Sequence, residues 1–156
     1  MELLACEVYK ANFGKMREKR IPFALPAGCE TFAGAESLVS RTKDASSHMN
    51  NRILAKKLRP IWENSGEREN LTADAQKVIL FSQVKDKEGG GGKVSVELEI
   101  SLERLNALIE ARIREGVVNF FQSLYSAFKG REVYPIHIFL AGNSCRSPFV
   151  RKISRG

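Results

Sequence analysis

The clearest periodicity in the chain runs from Leu102 to Phe128. Leu102, Leu105, Ile109, Ile113, Val117, Phe121, Leu124 and Phe128 recur at steps of three and four with polar residues between them, a spacing that lines one side of an α-helix. Ser101 stands before the run as an N-cap, its hydroxyl suited to accept from an early helical amide, and Gly130 follows as a stop. The stripe predicts a core-facing helix over roughly 102–128.

The pattern changes just upstream. Val94, Val96, Leu98 and Ile100 alternate with Ser95, Glu97 and Glu99, the period of a half-buried strand. The glycine run before it, in KDKEGGGGKVSVELEIS, reads as a hairpin tip. A phosphate-cradling loop calls for Gly-Lys-Ser/Thr followed by a helix, and neither follows here. For 71–86 two readings stand. Thr72 and Asp74 can open a helix through Ala75, Val78 and Ile79 to Ser82, or VILFSQV can form a strand from its β-branched and aromatic residues.

Between Asp44 and Trp62, Met49, Ile53, Leu54 and Leu58 keep helical spacing behind a Ser46 or Ser47 cap, and Pro60 ends or kinks that helix. NSGEREN reads as a polar linker. Residues 1–47 resist assignment: LLACEVYKANF reads as a strand, and IPFALPAGCETFAGAESL as loop and short strand. At the other end IHIFLA, after Tyr134 and Pro135, has the composition of a buried strand, with His137 packed inside it. These elements predict an α+β fold in which a small antiparallel sheet packs with two to three helices.

Composition narrows the function. With 156 residues and 43% hydrophobic content the chain supports one modest core. No stretch approaches the roughly 18 apolar residues of a membrane span, and MELLACEVYK is no signal peptide, so the expected location is cytoplasmic. Cys6, Cys29 and Cys145 are widely spaced and form no CxxC pair, which predicts idle thiols and neither a disulfide framework nor a zinc site. The net charge of +7 attracts polyanions. Its clusters, at Lys15–Arg20, at Lys56, Lys57 and Arg59, and at Arg146, Arg151, Lys152 and Arg155, lack the interleaved aromatics of a base-stacking surface, so nucleic acid is not the expected partner.

The order of these segments resembles a known family. VELEISLERLNALIEARI followed by IHIFLAGNSCRSPFVRKI is similar to the second lobe of the nucleotide-binding domain in the 70-kilodalton heat-shock protein (DnaK-type) chaperones, members of the actin-like ATPase superfamily. There a strand passes through a threonine or serine into a helix, and a later buried strand enters a Gly-Gly-x-x-Arg-x-Pro turn at the adenosine. NNRILAKKLRPIW resembles the family's helix beginning Asp-Asn-Arg, and TADAQKVIL its helix whose Glu-x-x-Lys faces the nucleoside. The resemblance covers about residues 48–154, and it implies that 48–156 is a fragment of that lobe.

By that resemblance Gly142, Ser144 and Arg146 line the adenosine side of an ATP or ADP pocket, with Asp74 and Lys77 facing them. A glycine there lets the backbone approach a ribose, and an arginine stacks on adenine or meets phosphate. The sequence departs from the pattern at Ala141, at the longer spacer Asn143-Ser144-Cys145, and at Asp74 in place of glutamate. A plain strand-to-helix turn, with Pro148 early in the helix, is the other reading of 141–148.

The resemblance also implies magnesium with the nucleotide in the full-length parent, a nucleotide-exchange factor or co-chaperone as partner, and unfolded clients. No Asp-x-Gly-Thr or Asp-x-Gly-Gly-Gly-Thr loop occurs in the sequence, so the phosphoryl group would be neither positioned nor charge-compensated. The chain is therefore expected to have no catalytic or metal-binding residues of its own and to need no cofactor. It would act as the adenosine-side wall and the flap that moves during exchange. A protein-interaction module that has lost nucleotide contacts is the alternative.

Overall fold

A computed structural model describes residues 1–40, 44–63, 71, 76–85, 91–131, 135 and 137. In chain order they form α1 (Glu2–Ala11), α2 (Phe13–Glu18), β1 (Phe23–Ala24), β2 (Val39–Ser40), α3 (Ala45–Lys57), α4 (Arg59–Glu63), β3 (Gln76–Lys85), β4 (Gly91–Leu98) and α5 (Leu102–Phe128). The architecture is α+β, with an antiparallel hairpin, β3 and β4, packed against helices and a short parallel pair, β1 and β2, beside them.

The first element is a helix, where the sequence suggested a strand. Leu4, Ala5, Val8 and Tyr9 are buried together, positions that share a helical face but that a strand would divide between two. Asn12 closes α1 and is buried. Its amide donates to the carbonyls of Val8 and Glu99, each at 2.9 Å, and its Oδ1 accepts from the Glu99 amide at 2.8 Å. One side chain thus joins the α1–α2 corner to the end of β4.

The hairpin settles the two readings of 71–86 for its described part: Gln76–Lys85 is strand, so Lys77 lies on no helix. Val78 faces Val96 and Leu80 faces Val94 across the ladder, and on the other face Lys77 opposes Glu97 and Phe81 opposes Lys93. Val78, Leu80, Val96 and Leu98 are buried and Ile79 is exposed. The ladder slips between Phe81 and Lys85.

Asp44, not Ser46 or Ser47, caps α3, accepting from the Ser46 amide at 3.3 Å. The face this helix buries is polar: Ser47, Asn50 and Asn51 lie inside with Leu54, while Met49 is exposed. Asn50 donates to the carbonyls of Pro22 and Phe81 and accepts from the Phe81 amide at 2.8 Å. Asn51 donates to the Ala24 carbonyl at 2.9 Å. The Asn-Asn-Arg stretch that resembled a helix start therefore sits in mid-helix and ties α3 to β1 and β3. Pro60 falls in α4, just past the end of α3, as a helix breaker should.

Ser101 caps α5 as expected, its hydroxyl accepting from the Arg104 amide at 3.3 Å, and Gly130 follows the helix with φ of 76°. The stripe along α5 is only partly core. Leu105 and Ile109 are buried, whereas Phe121 is 53% exposed and Phe128 is exposed as well. His137 is exposed and outside any strand. The remainder of the 136–141 run, the linker at 64–70, and Thr72 and Asp74 lie outside the described residues.

A single hydrophobic cluster runs from Leu4 on α1 to Ile109 on α5, drawing on residues both before and after position 48. Tyr9 is fully buried in it, stacked on Phe23 at 4.5 Å and donating to the Ile21 carbonyl at 2.7 Å. Among the described residues no helix is long and apolar enough to cross a membrane.

Candidate functional site

Of the residues the sequence nominated, Lys77 alone is described. It is exposed on β3, 3.5 Å from Glu97 on the neighbouring strand. It also borders an open groove of about 750 Å³, with Lys56, Lys57 and Ile53 of α3 on the opposite wall. Gly142, Ser144, Arg146 and Asp74 lie outside the described residues, so the opposition of Lys77 to the 142–146 turn is neither drawn together nor parted. What does not hold is the helix expected to carry Lys77.

A second concavity, of about 370 Å³, lies between α1, α5 and the loop after β1. Sites for small ligands commonly start near this size. Cys6, Glu7 and Lys10 of α1 line one wall, Gly28 and Cys29 a second, and Leu108 and Arg112 of α5 the third. Gly28 has φ of 81°, and a Cβ on it would stand 3.3 Å from the Arg112 guanidinium, so a side chain there would crowd the cleft.

The lining of the cleft is mixed, with Glu7, Lys10 and Arg112 beside Leu3, Cys6 and Leu108. Glu7 pairs with Arg104 in the first turn of α5, tying the two helices. Apart from that ion pair, Glu7 Oε1 has no hydrogen-bond partner among the described residues. Lys10 reaches over the Phe32 ring, 5.6 Å from its centre. Arg112 holds Glu115 at 2.8 Å on its own helix. Burial, reinforced by a hydrogen bond with Cys29, pushes the Cys6 thiol up to about 12.

Carboxylate, ammonium and guanidinium groups around a partly apolar floor suit a small ligand with hydroxyl and ring-nitrogen groups. Among the described residues no group of three or more His, Cys, Asp or Glu side chains is placed to hold a metal ion.

Glu7, Lys10 and Arg112 were not picked out from the sequence, and Cys6 and Cys29 were read there as idle thiols. A signal for the first pair was present: Glu7-Val8-Tyr9-Lys10 is a Glu-x-x-Lys step, three apart and therefore on one helical face. Reading LLACEVYKANF, residues 3–13, as a strand hid it. For the cysteines no local signal exists, because only the fold brings the loop after β1 onto α1. Compared with protein-family models, curated proteins and solved structures, the chain finds no match.

Proposed function

We propose that the chain is a nucleotide-binding lobe of a cytoplasmic DnaK-like chaperone ATPase, supplying one wall of an adenosine pocket and the flap that moves during nucleotide exchange. The observation that carries this reading is the sequence of elements around α5. Strand β4 passes through Ser101, which caps a long helix, and that helix is ion-paired through Arg104 to a second helix bearing Glu-x-x-Lys. Strand, capping serine and helix follow one another as the resemblance expects. The Glu-x-x-Lys helix is better matched by α1, with Glu7 and Lys10, than by the segment holding Lys77.

In this reading Glu7 accepts from a ribose hydroxyl while Arg104 fixes its carboxylate, and Lys10 donates to the nucleoside. Arg146, assigned to the adenosine by the resemblance, lies outside the described residues. Hydrolysis would depend on phosphate loops that this sequence does not contain. The chain's part is therefore to bind and orient. Exchange factors and unfolded clients would be partners of the parent.

Titration calorimetry with magnesium and ADP tests the reading. In the parent, Lys10→Ala and Arg146→Ala are each expected to weaken binding about tenfold, roughly 1.4 kcal/mol. Unchanged affinity in both variants overturns the assignment. Tight magnesium-dependent binding by the 156-residue chain alone also contradicts it, because a pocket with one wall buries too little ligand surface.

The exposure of Val118, Phe121 and Tyr125 on α5 favours a second reading, a protein-interaction module without nucleotide. On that reading Arg146→Ala leaves nucleotide affinity untouched.

A further inference from the structure

Cys6 and Cys29 are far apart in sequence and meet in the fold. Cys6 belongs to the buried face of α1 and is 7% exposed. Cys29 sits in a turn, its amide donating to the Pro26 carbonyl at 3.2 Å, and it is only partly buried. Their side chains hydrogen-bond to each other, and both line the cavity of about 370 Å³. Closing a disulfide would draw the two sulfurs from that contact to about 2.05 Å.

We propose that Cys6 and Cys29 form a reversible disulfide site, oxidised by small-molecule disulfides that reach Cys29 through the cavity. The two positions are not equivalent. Cys29 is the accessible partner and attacks first, and Cys6, buried beneath it, resolves the intermediate. The Cys29 thiolate attacks one sulfur of the small disulfide and releases one small thiol. Cys6 then gives its proton to water and attacks the Cys29 sulfur of the mixed disulfide, expelling the second small thiol. Two protein thiols and one small disulfide thus become one protein disulfide and two small thiols. The bond would fasten α1 to the loop after β1 and fix one wall of the cleft. This inference does not rest on the nucleotide reading, since it needs only the two thiols and access to one of them.

The test is incubation of the full chain with oxidised glutathione near pH 8, followed by alkylation and a tryptic map without reductant. The expected product is a linked pair of peptides, residues 1–10 and 21–41, lighter by two hydrogens than their sum. It should vanish on adding dithiothreitol and persist in Cys145→Ser. The bonded protein should also melt at a higher temperature than the reduced protein. A stable glutathione adduct on Cys29 with Cys6 still reduced overturns the proposal, and so does a disulfide that includes Cys145. The peptide map and the melting comparison both use the unsubstituted chain, so misfolding of a variant cannot mimic failure.

Discussion

Tyr9 and Cys6 show how burial is expressed in a single residue's chemistry. Both are enclosed by the core, which penalises their charged forms, so the phenol and the thiol are held above their ordinary ranges, the thiol at about 12. The sign of the consequence follows. The fold favours the protonated forms, so above the ordinary thiol range, about 8.5, the unfolded chain carries fewer protons than the folded one. Stability is then lost as pH rises, first through Cys6 and above about 10 also through Tyr9. In reducing buffer the melting temperature should hold near neutrality and fall progressively between about pH 9 and 11. Tyr9→Phe should fall less steeply above pH 10, at the cost of the bond to the Ile21 carbonyl. A variant that falls as steeply as the parent chain contradicts this account. Glu99 behaves oppositely: the Lys15 ammonium, 2.7 Å away, keeps its carboxyl below the usual carboxylate range. Both side chains stand in solvent, so little stability depends on that pair.

Elements are joined here by amides as much as by hydrocarbon. Asn12 bridges the α1–α2 corner to β4, Asn50 bridges α3 to β3 and to Pro22, and Asn51 reaches the backbone of β1. Each satisfies backbone groups on strand edges and connecting segments, a requirement as strict as packing. Asn50→Ala would strand the Phe81 amide and two carbonyls. The expected loss is about 3 kcal/mol, read as a lower urea midpoint with an unchanged slope. A loss under about 1 kcal/mol would mean that water replaces the amide. Hydrophobic periodicity cannot reveal such a face, since α3 buries two asparagines and a serine where a stripe of aliphatic residues is normally sought.

For the whole molecule the decisive asymmetry lies along α5. Its first half packs on the core through Leu105 and Ile109, and beyond Ile113 the described neighbours leave Val118, Phe121 and Tyr125 exposed. Amide hydrogen exchange should report this directly. Protection at 117–128 is expected to be lower than at 102–113 by about tenfold or more, since helical bonds without tertiary cover open locally. Uniform protection along the helix would show that something covers the distal half in solution.

The sequence by itself determined β4, the Ser101 cap, the extent of α5 and its stop at Gly130. Each rests on interactions within a few residues: side-chain alternation, a hydroxyl on a nearby amide, and a glycine at positive φ. Only tertiary structure decided that 2–11 is a helix, that 76–85 pairs as a strand, and that half of an unbroken apolar stripe stays outside the core. Those outcomes depend on what each segment meets across the chain, and short apolar runs satisfy helix and strand about equally until a partner is present. The cleft follows the same logic. Glu7 and Lys10 were legible as a spacing, but Arg104, Arg112 and the contact between Cys6 and Cys29 exist because folding brings distant segments together, and no local pattern encodes that meeting.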